Sequence, residues 1–155
     1  MLKNINELFS LMPKYGGYHI ALIDNFNLKS EFIDFANSYE VTLHIKEFNK
    51  DQNDTPFVKH EKFSFEDKRY NPHSVIYDFV YLCLDVEIEK LEEVVKKFYR
   101  TLKNAGYIYL FSKNEYVETA KDILENSNYL SINEIDDFLD RKVISAQKMH
   151  GWKRV

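Results

Sequence analysis

The chain has 155 residues, 45% of them hydrophobic, with 21 Lys and Arg against 25 Asp and Glu, for a net charge of −4. A chain of this length buries roughly 70% of its unfolded surface in one core, and its charge gives no electrostatic reason to expect a nucleic-acid or anionic-membrane surface. A single cysteine, Cys83, excludes an internal disulfide framework, and with neither a leader-like nor a membrane-length apolar run the expectation is a soluble, cytoplasmic protein.

Ile5, Leu8, Phe9 and Met12 recur at helical spacing after Asn4, a good N-cap type, and Pro13 closes the pattern. This predicts a leading helix and turn over 1–18. His19–Asp24, HIALID, is almost continuously apolar, the mark of a strand buried on both faces. From Asn27, which can cap a helix, Leu28, Phe32, Phe35, Ala36 and Tyr39 share one helical face. Glu40–Phe48 alternates Val41, Leu43 and Ile45 with polar residues and reads as a second strand. Ile20–Phe48 is thus one strand–helix–strand unit, for which a right-handed crossover is expected.

Asn49–Pro56 is the most polar stretch and reads as a loop, followed by a short strand over Phe57–Phe63. Residues 64–74 are irregular around Asn71-Pro72, and Val75–Asp85 is the strongest strand pattern. Leu91, Val94, Val95, Phe98 and Leu102 make an amphipathic helix. Its acids (Glu87, Glu89, Glu92, Glu93) come early and its bases (Lys96, Lys97, Arg100, Lys103) late, which suits the helix dipole. Gly106 is expected to stop it in the left-handed conformation. A strand over Tyr107–Phe111, a helix over Glu115–Glu125, and two strands in YLSINEI and KVISAQKM joined by DDFLDR complete the chain. The order predicts one α/β domain over 1–155: a doubly wound, mostly parallel sheet with an antiparallel C-terminal strand.

From Val75 onward the sequence resembles the class I S-adenosylmethionine-dependent methyltransferases. Tyr77-Asp78-Phe79-Val80 fill that family's fourth-strand pattern, and Arg100, Leu102, Lys103 and Gly106 its helix-to-fifth-strand pattern, with Asn104 and Ala105 where Pro and Gly are usual. The closing KVISAQKMHGW is similar to its last, antiparallel strand. The resemblance implies a methyltransferase-like, Rossmann-type fold and S-adenosylmethionine as cofactor; no metal is expected, because the histidines and the single cysteine lack metal-ligand spacing. It also implies that the first strand ends in an acid followed by a G-x-G turn. Matching Asp24 to that acid puts Phe26 and Leu28 on the two glycine positions. The backbone cost of a left-handed residue there, about 1–2 kcal/mol, can be absorbed by Asn25 or Asn27. The phenyl ring cannot be absorbed in the same way, because it stands in cofactor space, so the usual site is expected to be lost. The cofactor-binding candidates are Asp24, Asn25, Phe26 and Asn27 in the turn, Glu47 for the ribose hydroxyls, Glu61 for the adenine amine, and Asp85 facing a substrate. No catalytic residue is identified.

Each candidate also has a plainer reading. Asp24 can be a turn carboxylate or a helix cap, Asp85 is expected to cap the helix that follows it, and Glu47 and Glu61 are expected to be surface acids. The five histidines lack metal-ligand spacing, and His60 beside Glu61 is the one suggestive pair. Cys83 is expected to be a buried hydrophobe, and Trp152 to lie at the domain edge or a dimer contact. The functional expectation is a methyltransferase-fold protein, either a non-catalytic scaffold or a methyltransferase with a reworked cofactor loop. The alternatives are a degenerate receiver-like signalling domain, which IALIDNF and YDFVYLCLD resemble with Cys83 in the phosphoacceptor place, or a protein-interaction module. A homodimer or a protein partner is expected, with neither nucleic acid nor membrane.

Overall fold

The structure, a computed structural model, describes residues 4–47, 54–62 and 76–148. In chain order its elements are α1 (Asn6–Phe9), β1 (His19–Asp24), α2 (Lys29–Tyr39), β2 (Thr42–Glu47), β3 (Val58–Lys62) and β4 (Tyr77–Cys83). They continue with α3 (Ile88–Thr101), β5 (Leu102–Lys113), a 3-10 turn over Asn114–Tyr116, α4 (Val117–Asn126), β6 (Tyr129–Phe138) and β7 (Arg141–Lys148). The strands form one seven-stranded sheet in the order β3-β2-β1-β4-β5-β7-β6. The first five are parallel, and β7 pairs antiparallel with both β5 and β6. The fold is α/β, mostly parallel with antiparallel C-terminal strands. A receiver has a parallel 2-1-3-4-5 sheet, so this order departs from the receiver alternative.

The burial patterns follow the sequence. Four consecutive residues of β1 are buried, as a central strand covered on both faces requires, whereas β2 alternates. One apolar layer joins α1 and α2 to Ile20, Leu22, Leu43, Ile45, Tyr81 and Tyr109. The other joins α3 and α4 to Ile23, Leu82, Leu84, Ile108, Leu110 and Ile144.

Three local expectations are corrected. Gly106 does not end a helix: α3 stops at Thr101, Ala105 takes the positive φ of 69°, and Gly106 lies within β5. A Cβ at Gly106 would stand 2.9 Å from the Lys103 carbonyl and 3.1 Å from that of Asp78, so close strand approach is what needs glycine here. Asn27 does not cap α2, as shown below. The β6–β7 connection is only Leu139-Asp140, with φ values of 52° and 58°; two left-handed residues are the turn that matches strand twist. Residues 64–74, including Asn71-Pro72 and His73, and also His150 and Trp152, lie outside the described residues.

Candidate functional site

β2, β1, β4 and β5 run parallel and deliver their C-terminal ends to one edge, where open α/β sheets bind ligands. Asp24 ends β1 there. Its Oδ1 accepts the Phe26 amide at 2.9 Å and its Oδ2 accepts the Leu28 amide at 2.7 Å. Both oxygens serve the turn, and the second caps α2 from one residue before the helix. Asn27 adopts φ 63°, a left-handed value that asparagine tolerates. The Asn25 amide donates to the Cys83 carbonyl at 2.9 Å, tying the turn to β4. A carboxylate and an asparagine thus hold a turn that glycines usually make.

With the turn pinned, the half-buried Phe26 packs onto the apolar layer beside α2. Its ring meets Phe111 of β5 edge-on, with centroids 5.9 Å apart at 70°, and the Arg141 guanidinium lies 4.5 Å from its centroid. Phe111 in turn meets Phe138 at 5.9 Å. Arg141 is itself fixed. Its Nε and Nη2 donate to the two Asp85 oxygens at 2.7 and 2.5 Å, and its Nη1 donates to the Leu139 carbonyl at 2.7 Å. These hydrogen bonds from Arg141 hold the Asp85 carboxyl below its usual range, and Lys113 adds to the effect. Asp85 does not cap α3, whose N-cap is Glu87; it clasps the start of β7 instead.

Glu47 is not a surface acid. It ends β2 only 8% exposed, with Oε1 2.8 Å from Nδ1 of the buried His60 and 3.2 Å from Nζ of Lys29. Glu61 lies next along β3 from His60 and therefore leaves the sheet on the opposite face. It accepts from Lys46 at 2.8 Å and lies 3.2 Å from His44 Nδ1, itself 2.9 Å from the Tyr77 hydroxyl. Burial lowers the His44 pKa, while Glu61 partly opposes the shift. The suggestive His60–Glu61 pair is thus replaced by His60–Glu47. Cys83 is fully buried, and burial raises its pKa well above the ordinary thiol value.

The structure gathers Asp24, Phe26 and, through Arg141, Asp85 at one place, sets Glu47 beside α2, and leaves Glu61 apart. Arg141, Phe111 and the Glu47–His60 pair escaped the sequence reading. Only the last left a signal: Glu47 is in phase with the buried Leu43 and Ile45. These residues do not fit an adenosyl ligand over the turn. The ring of Phe26 packs against Phe111 there, and the carboxylates of Asp24 and Glu47 are engaged by the chain's own donors. Among the described residues no group of His, Cys, Asp and Glu is arranged to hold a metal, and no helix is long and apolar enough to cross a membrane.

No family model matches the sequence, and no curated protein matches it. Many solved structures share the fold. A Haemonchus contortus phosphoethanolamine N-methyltransferase 2, solved with phosphomonomethylethanolamine and S-adenosylhomocysteine, superposes with a TM-score of 0.67 at 12% identity. The match covers 96% of this chain and 53% of that one, so this chain spans about half of it. A candidate S-adenosylmethionine-dependent methyltransferase from Listeria monocytogenes gives 0.68 at 15% identity, covering 94% and 98%. A candidate methyltransferase of Haloferax volcanii, solved with the Trm112 methyltransferase activator, gives 0.67 at 11%, covering 95% and 89%. At these identities the likeness establishes the fold.

Proposed function

Because the chain has the class I S-adenosylmethionine-dependent methyltransferase fold, we propose that it is a non-catalytic member of that architecture, a binding or scaffold subunit whose cofactor crevice is filled by its own side chains. The observation that carries this reading is Phe26 packed on Phe111 and under Arg141, at a position where the resemblance calls for glycine. Methyl transfer to a nucleophile depends chiefly on bringing acceptor and sulfonium together, so a missing general base would not argue against activity; a missing cofactor pocket does. The seven cofactor-site candidates take other roles in this reading: Asp24, Asn25 and Asn27 shape the turn, Phe26 fills it, Glu47 and Glu61 are structural acids, and Asp85 holds Arg141. One domain spans 1–155 and works in the cytoplasm, in keeping with a buried free cysteine.

A protein partner or a second copy is the natural ligand of such a subunit, and the Haloferax volcanii complex supports the first by showing this architecture bound to an activator. The second reading is a methyltransferase with a reworked loop, favoured by a fold shared with a protein solved with S-adenosylhomocysteine. Thermal-shift titration with S-adenosylmethionine and S-adenosylhomocysteine separates the two. The scaffold reading expects no shift at millimolar ligand, and saturable stabilisation by either compound would replace it with the second.

A further inference from the structure

We infer that a cavity at the N-terminal edge of the sheet, opposite the crevice, binds a methylated ammonium group. The cavity, about 260 Å³, lies where β5 slips register against β4, between the Tyr77 and Phe79 pairings. Four aromatic side chains line it: Tyr15, Tyr18, Phe79 and Tyr107. The Tyr18 ring stands across both its neighbours, 6.2 Å from Tyr15 at 84° and 5.5 Å from Phe79 at 68°. Phe79 and Tyr107 lie nearly parallel, 6.3 Å apart. The Tyr18 hydroxyl is occupied, donating to the Pro13 carbonyl at 2.5 Å, so this wall offers a ring and not a free hydroxyl. Tyr15, 68% exposed, leaves the box open to an incoming group. The site shares no residue with the Phe26 crevice, so it goes beyond the reading above and stands whether or not that reading holds.

Asp78 supplies the charge. It lines the same cavity, and its Oδ2 accepts the His19 amide at 2.9 Å, with Lys103 Nζ 3.5 Å from that oxygen. Its Oδ1 accepts no hydrogen bond among the described residues. The Lys103 pair is long and partly exposed on both sides, so water screens it. A carboxylate with an unused oxygen beside four rings selects a cation, because the face of each ring is negative. Apolar walls cannot replace the water around a primary ammonium, whereas a cation sheathed in methyl groups gives up little hydration on entering. Crossed rings also make a compact box, not the parallel slot that a flat base would need. Pockets for drug-sized molecules run from about 300 Å³ upward, so this one suits a single headgroup, either of a free small molecule or of a methylated lysine side chain.

The test is NMR titration of the full chain with tetramethylammonium, with tert-butanol, which is uncharged and of similar size, and with ammonium, which has no methyl groups. Tetramethylammonium should bind saturably, move the ring signals of Tyr18, Phe79 and Tyr107, and have its own methyl signal shifted upfield by the ring faces; the two controls should bind about tenfold more weakly. Asp78→Asn should weaken the cation about two- to fivefold, the scale of one partly exposed ion pair. Should that variant not fold, Tyr15→Ala, at an exposed position, should weaken it by a similar factor. Nα-acetyl-Nε-trimethyllysine amide separates the sources: binding tighter than tetramethylammonium assigns the group to a protein side chain, and equal or weaker binding to a free small cation, both within the inferred class. No saturable binding of tetramethylammonium, equal or tighter binding of either control, indifference to the substitutions, or shifts confined to other residues would each overturn the inference. Phe26 and Phe111, at the other edge of the sheet, report the crevice separately, so failure here is distinct from failure of the scaffold reading.

Discussion

Replacing Phe26 with alanine removes the ring that packs against Phe111 and Arg141. A phenylalanine buries roughly 150–250 Å² when enclosed. With roughly two-thirds of that hidden here, at ~25 cal/mol per Å², the transfer contribution is about 2.5–4 kcal/mol. The Arg141 guanidinium near the ring adds about 0.5–1 kcal/mol. The Asp24 hydrogen bonds survive, because Phe26 donates through its backbone amide. Areas taken against an extended chain are upper bounds, which brings the expected loss to about 3 kcal/mol, or roughly 6–12 °C in Tm for a chain of this size. Urea titration of both proteins reads it as a lower midpoint at unchanged slope. A loss below about 0.5 kcal/mol, the level of an exposed surface residue, would refute the packing of Phe26 described here.

Asp24→Ala leaves the Phe26 and Leu28 amides without their acceptor and should cost about 1–2 kcal/mol by the same titration, with Asp24→Asn intermediate. Glu47→Ala strips a buried histidine of its partner and should cost about 3 kcal/mol, read by the loss in thermal midpoint. Asp85 has its folded pKa depressed by Arg141, so its contribution is present above the unfolded value of about 3.9 and fades as pH falls through the folded value; because the pair is partly exposed, Asp85→Asn should remove less than about 1 kcal/mol at neutral pH and flatten the acid limb below about pH 4. His44 also has a depressed folded pKa, so the unfolded chain binds its proton first. Stability should therefore drop as pH falls below about 6.5, and His44→Gln should reduce that drop between pH 7.5 and 5.5.

The architecture was legible because its signals are local. The apolar run of β1, the alternation of β2 and the stripe of α3 each determine an element from adjacent residues. The turn after β1 was half legible. Glycine-free spacing puts a ring at Phe26, and an asparagine takes the left-handed residue, but the cap comes from Asp24 and not from Asn27. The long-range partners around the turn were not legible. Arg141 and Asp85 are 56 residues apart and meet only once β7 inserts beside β5. Glu47 and His60 meet across the β2–β3 register, and the identity of a buried acid's partner is a property of that register. Gly106 shows the same limit from the other side: a glycine near a helix end suggests a stop, whereas here it is the approach of the Lys103 and Asp78 carbonyls that excludes a Cβ.

Whether an adenosyl compound and the Phe26 ring compete for one volume is most directly read by NMR, as the cross-relaxation between the rings of Phe26 and Phe111, recorded with and without millimolar S-adenosylhomocysteine. A filled crevice gives the same ring–ring signal in both spectra. Loss of that signal together with new contacts from adenosyl protons to residues 24–28 would contradict it.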